Sequence, residues 1–240
     1  MTFCYESFRA IIRDAQGRGY SFLRFDREAP AAGKLLYLRH DVDISPACAL
    51  RLGEIASEEG VVSNIFFQLN AETYNPFSER SRTIIRRLRC MGHCVGLHVD
   101  EDLIGADGDK ILRAIGWFSA CCEPIDMAVS FHRPTPAVLG ADFEGFASGY
   151  GSQVWGPDRY LSDSRRSSEF YPRLMSWLEE GHTPIQLLLH PEWWYPHDSV
   201  QAIWNDLRGR RMHELAGYMV THFPKVFSPV IRLEDDDFHL

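Results

Sequence analysis

The chain has 240 residues, and its 33 acidic side chains against 25 basic ones give a net charge of −8 and a pI near 5.7; this balance disfavours a general nucleic-acid binder. No run reaches the roughly 18 consecutive apolar residues of a membrane span. The start MTFCYESFRAII has neither the basic head nor the apolar core of a signal peptide, which predicts a cytoplasmic protein with no membrane span. The even spread of apolar residues predicts one domain over 1–240. Six cysteines without a Cys-x-x-Cys pair predict free thiols packed as small hydrophobes, with no disulfide framework and no zinc ribbon. The arginines of SERSRTIIRRLRC are the one candidate basic patch.

From the N-terminus, Phe8, Ile11, Ile12 and Ala15 recur at helical spacing and predict a helix over Tyr5 to Gln16, stopped by Gly17 and Gly19. Ser21 to Phe25 alternates like an edge strand, and Leu35 to Arg39 is an apolar run of the kind a buried strand shows. Ser45-Pro46 supplies a helix cap and a proline at the first helical position, predicting a helix to Gly60. Strands over Val61 to Leu69, His93 to Val99 and Met127 to Phe131 then alternate with helices over Ser78 to Met91 and from Asp107 to Pro124. An irregular Gly- and Ser-rich region follows. A short strand near Tyr160 to Ser162, a helix over Tyr171 to Glu180, a strand over Pro184 to Leu189 and a helix from Ser199 to about His222 complete the pattern. The ending LEDDDFHL reads as a solvated acidic tail. Strand-helix alternation of this kind predicts an α/β fold with a largely parallel sheet, open or closed into a barrel.

In parallel α/β folds ligands bind where strands end. Asp41 and Asp43 follow the first strong strand, two residues apart and so on the same side of an extended segment. His98 ends the strand HCVGLHV, with Asp100, Glu101 and Asp102 behind it; His132 and Arg133, Asp163 and His190 end three more. A single strand-end aspartate is most often a cap or turn residue. Five strands delivering such residues at one end would converge in space, and carboxylate with imidazole suits a divalent metal of the zinc, manganese or iron type that activates water.

These residues carry a resemblance. RHDVD, GHCVGLHVD, SFHRP, YLSDS and LLLHP resemble, in order and spacing, the five motifs of the polysaccharide deacetylases (NodB-like) of carbohydrate esterase family 4, with spellings like those of a divergent branch. The resemblance runs from about Leu35 to Pro191. It implies a distorted (β/α) barrel and metal-dependent removal of an acetyl group from a sugar or sugar-containing small molecule, N-acetyl ahead of O-acetyl. It implies Asp41 as general base, Asp43 and His98 as metal ligands, Arg133 as the arginine orienting the base, His190 as general acid and Asp163 as the carboxylate raising its pKa. Where the family has a second histidine four residues after the first, this chain has Asp102. The third ligand is therefore His132, or else Asp102 or Asp100. Where the family offers a tyrosine N–H to the oxyanion, this chain has Pro136, which has none; the metal or another donor must serve. His93 enters its strand rather than leaving it and reads as structural.

The metal expected is zinc, with manganese, cobalt, nickel or iron as alternatives. Trp193, Trp194 and Tyr195, just after His190, are candidates for stacking on a sugar ring, and packing within the protein accounts for them equally well. The substrates expected are an acetylated amino sugar, a nucleotide sugar, an aminoglycoside-like compound or a lipid-linked sugar. Two rival readings are a non-catalytic sugar- or metal-binding relative, suggested by the broken second motif and Pro136, and a metallophosphoesterase. GADGDK, near Asp102, reads as a loop leading into a helix rather than as a phosphate site.

Overall fold

The computed structural model describes residues 2–196 and 198–232, so the acidic ending lies outside the described residues. The chain forms two compact units, Met1–His197 and Asp198–Leu240. In the first, α1 (Tyr5–Gly17) buries Phe8, Ile11, Ile12 and Ala15, the stripe its spacing predicts. The strands β1 (Tyr20–Phe22) and β2 (Lys34–Val42) lead into α2 (Pro46–Glu58), capped by the Ser45 hydroxyl accepting from the Cys48 N–H. The order continues β3 (Asn64–Gln68), α3 (Glu79–Cys90), β4 (Cys94–Asp100), α4 (Glu101–Ile104), α5 (Gly108–Cys121), β5 (Ala128–His132), β6 (Ala147–Ser148), β7 (Tyr160–Ser162), α6 (Phe170–Glu180) and β8 (Ile185–Leu189). A 3-10 turn, Pro191–Trp193, follows. The second unit holds α7 (Val200–His222) and α8 (Pro224–Phe227). Among the described residues no helix is long and apolar enough to cross a membrane.

Among the described residues the named strands pair in parallel, in the order β6-β5-β4-β3-β2-β8-β7, with β1 also on β2. The sheet curls. Gln186 on β8 donates through Nε2 to Gly149 O (2.8 Å) and Val154 O (3.2 Å), and Arg39 Nη1 on β2 donates to Gly149 O (3.3 Å). The segment leaving edge strand β6 thus meets the far side of the sheet and makes an incomplete barrel. Gly149 permits the approach, since a Cβ there would lie 3.0 Å from Arg39 Nη1.

Strand alternation sorts β2 into two faces. Leu36, Leu38 and His40 point outward, the two leucines packing with α1 and α2 around Phe8, Ile12, Leu52 and Ile55. Each large apolar side chain buried this way contributes about 1.5–3 kcal/mol. Tyr37, Arg39 and Asp41 point into the concave side. The arginines of α3 meet acids: Arg82 and Arg86 reach Glu123 at 3.3 and 2.6 Å, and Arg87 reaches Glu54 at 2.8 Å. The candidate basic patch is therefore largely neutralised. Among the described residues all six cysteines are free thiols, with Cys48, Cys94 and Cys122 buried and Cys90 and Cys121 exposed.

Candidate metal centre and active-site cleft

The carboxyl ends of β2, β4, β5 and β8 open onto a cleft of about 330 Å³ that contains Asp41, Asp43, His98, His132 and His190. β2 runs further than its apolar residues suggest, to Val42, so Asp41 lies within the strand and is held by it. Arg39, two residues earlier and on the same face, donates through Nε to Asp41 Oδ1 (2.9 Å) and through Nη2 to Oδ2 (2.6 Å). Both side chains are buried. Burial alone would favour the neutral acid, but the charge of Arg39 and its fork of hydrogen bonds outweigh it and hold Asp41 well below the usual carboxylate range. The guanidinium resting on Asp41 is therefore Arg39's and not Arg133's. Arg133 is an exposed cleft-wall residue with φ 53°, and pleating, which puts residues 39 and 41 on one face, is the physical reason for the correction.

Asp43, His98 and His132 each present a ligand atom within 4.8 Å of the others. His98 Nε2 stands 3.2 Å from Asp43 Oδ1, and the rings of His98 and His132 are 5.3 Å apart. Gln68 Nε2 donates to Asp43 Oδ1 (2.9 Å), and the Thr73 hydroxyl donates to the Asp43 carbonyl (2.6 Å). His132 Nδ1 is buried without a hydrogen-bond partner, and burial followed by the neighbouring His98 lowers its basicity. A carboxylate beside two imidazoles, one of which has a buried nitrogen without a hydrogen-bond partner, is a donor set suited to zinc or another borderline divalent ion. The alternative ligands stand apart from this set. Asp102 is exposed on α4, and Asp100 caps that helix by accepting the Asp102 N–H at 3.0 Å, leaving its other oxygen 4.0 Å from His132 Nδ1.

Opposite Asp41, His190 Nδ1 donates to Asp163 Oδ1 at 2.6 Å, and the backbone N–H of His190 donates to the same carboxylate at 3.0 Å. Trp194 Nε1 donates to Asp163 Oδ2 at 2.8 Å. Burial disfavours the charged imidazole, but the Asp163 hydrogen bond and charge, with Asp41 and Asp43 behind them, overcome it and push His190 up to about 9. The cleft thus sets an ionised carboxylate against a protonated imidazole, with His190 Nε2 3.8 Å from Asp43 Oδ2.

The aromatic cluster after His190 is not the stacking platform its sequence suggests. Trp194 and Tyr195 are 1% and 4% exposed. Trp194 packs in the core against Phe3 and Phe8, and the Tyr195 carbonyl accepts the Tyr5 N–H at 2.9 Å. Trp193 is half-buried, its ring 6.3 Å from His190. These rings were needed to seat the N-terminal helix and the Asp163 carboxylate. A different aromatic set lines the cleft: Tyr150, Trp155 and Tyr160, with ring centroids 4.5 to 6.0 Å apart. The first two lie in the Gly- and Ser-rich segment, where no periodicity marks them. His93 is structural, accepting the Ser63 N–H at Nδ1 (3.0 Å) and donating through Nε2 to Gly53 O (2.9 Å). Asp107 of GADGDK caps α5.

Two further polar residues escaped sequence reading. Ser130 Oγ lies 2.7 Å from His98 Nδ1 and 3.0 Å from Asp41 Oδ1. Glu192, 1% exposed, accepts the Ile44 and Ser45 N–H groups at Oε1 (2.6 and 3.0 Å), while its Oε2 is buried without a partner. Burial, then the charge of Asp43, pushes the Glu192 carboxyl up to about 7.

No protein-family model and no curated protein matches the chain. Among solved structures it is similar to a CE4-family pseudoenzyme from Bacillus anthracis, at 13% identity and TM-score 0.42 over 79% of this chain and 65% of that one. A mutant of that protein with restored enzymatic activity gives 13% and 0.43 over 79% and 67%. A family 4 acetyl xylan esterase from Clostridium thermocellum, in complex with a cobalt ion, is 15% identical with TM-score 0.42 over 77% of this chain and 92% of that one.

Proposed function

We propose that this chain is a metal-dependent hydrolase of the polysaccharide deacetylase type, removing an acetyl group, N-acetyl ahead of O-acetyl, from a sugar or sugar-containing small molecule. The observation that carries the reading is the presence, in one cleft, of a buried ionised base and a protonated acid together with an Asp-His-His ligand set. Asp43, His98 and His132 would hold the ion. When bound, it would supply Lewis acidity toward a carbonyl oxygen and acidify water.

Asp41, fixed by the Arg39 fork, takes the proton from the attacking water. His190, anchored at Nδ1 by Asp163, presents Nε2–H to the leaving nitrogen, so that the C–N bond breaks with release of acetate and an amine. Trp155 and Tyr160, both half-buried on the cleft wall, offer flat faces to a sugar ring.

The test is metal content and acetate release, measured on the wild type and on Asp43→Ala, His132→Ala and Asp102→Ala with N-acetylated sugars, beside a phosphomonoester. The reading requires one bound ion, lost in the first two variants and kept in the third, and acetate from the wild type. Metal without acetate but with phosphate release supports the phosphoesterase; metal without turnover of either supports a binding relative.

A further inference from the structure

We propose that Ser130 is a positioning residue that fixes which nitrogen of His98 faces the cleft and ties this ligand to the base Asp41. The inference rests on the three-residue ligand set proposed above and not on the acetyl chemistry. Ser130 on β5 is in register with His98 on β4, and its side chain is buried. Its Oγ stands between His98 Nδ1 at 2.7 Å and Asp41 Oδ1 at 3.0 Å.

A hydroxyl has one proton to give. The Asp41 carboxylate, forked by Arg39, can only accept, so Ser130 donates to it. The Ser130 oxygen can then only accept from His98, and Nδ1 must carry a hydrogen. This leaves Nε2, 3.2 Å from Asp43 Oδ1, as the nitrogen available to an ion shared with Asp43. In the competing neutral tautomer the proton sits on Nε2 and is donated to Asp43, so that two ligand atoms satisfy each other and exclude the ion. Ser130 opposes that self-satisfied arrangement. The order of donation, His98 to Ser130 to Asp41, also gives the base a hydrogen bond that depends on the ligand's orientation.

The experiment uses the full chain as wild type, Ser130→Ala and Ser130→Thr, with two readouts: zinc affinity by calorimetric titration, and the nitrogen spectrum of ¹⁵N-labelled histidine in the metal-free protein. Ser130→Ala is expected to bind zinc roughly 10- to 100-fold more weakly, the range for a residue supporting a ligand, and to move the His98 proton from Nδ1 to Nε2. Restoration of both by the threonine hydroxyl supports the role. If the alanine variant does not fold, Ser130→Cys keeps the volume, weakens both hydrogen bonds and is read the same way. Wild-type affinity in a folded Ser130→Ala, or a wild-type His98 without hydrogen on Nδ1, overturns the proposal. A wild type that binds no zinc refutes the metal reading instead, and the histidine spectrum still decides the role of Ser130.

Discussion

Replacing Asp163 by asparagine removes the charge beneath His190 and keeps the shape of the side chain. His190 stands at about 9 against an ordinary value of 6.5, and at 1.36 kcal/mol per pH unit this displacement is worth about 3 kcal/mol in favour of the imidazolium. Burial works against the charge, and Asp163 supplies the largest part of what overcomes it, with Asp41 and Asp43 adding the remainder. Without Asp163 the imidazole is expected to titrate about two pH units lower, near its ordinary value. NMR titration of labelled histidine in metal-free Asp163→Asn measures this directly, and the alkaline limb of acetate release should retreat by a similar interval. The linkage has a definite sign. A folded pKa above the unfolded one gives stability that is complete below 6.5 and is lost as pH rises through about 9. The stability gap between wild type and Asp163→Asn should therefore narrow by about 3 kcal/mol between about pH 6 and pH 10. An asparagine variant whose His190 still titrates near 9 would show that Asp163 does not hold its proton, and the acid assignment would fall with it.

Arg39→Met leaves Asp41 buried and unpaired, which should cost about 3–5 kcal/mol of folding stability in chemical denaturation; a loss under about 1 kcal/mol would mean that solvent already reaches the pair. Glu192→Gln keeps an acceptor for the Ile44 and Ser45 N–H groups. Because burial raises Glu192 from 4.5 to about 7, the wild type loses stability as pH rises through that interval and the glutamine variant does not, so urea unfolding of metal-free protein should favour the variant by about 3 kcal/mol more at pH 8 than at pH 4. A constant difference across the range would refute it. Trp155→Ala should weaken sugar binding roughly 3- to 10-fold with little change in stability, whereas Trp194→Ala should cost about 3–5 kcal/mol of stability; the reverse pattern in binding and unfolding assays would return the platform to the residues after His190.

The strand-helix alternation, the caps at Ser45 and Asp107, and the polar residues at the strand ends were legible in the sequence because each depends on local spacing. The parallel sheet brought Asp41, Asp43, His98, His132 and His190 to one cleft because side chains at corresponding ends of parallel strands must lie near one another. Partners across the sheet were not legible. Arg39 shares a face with Asp41 by the local pleat, but only the curl of the sheet brings it against Gly149 and Gln186. Ser130 is an ordinary strand serine until β4 and β5 align it with His98. Trp194 and Trp155 are equally aromatic in sequence, and only the packing of α1 buries one while the return of the chain after β6 opens the other to the cleft. Local chemistry thus determined the strand ends and the kinds of group they carry; long-range packing decided which of those groups meet, because contact between residues a hundred positions apart has no signature in either one's neighbours.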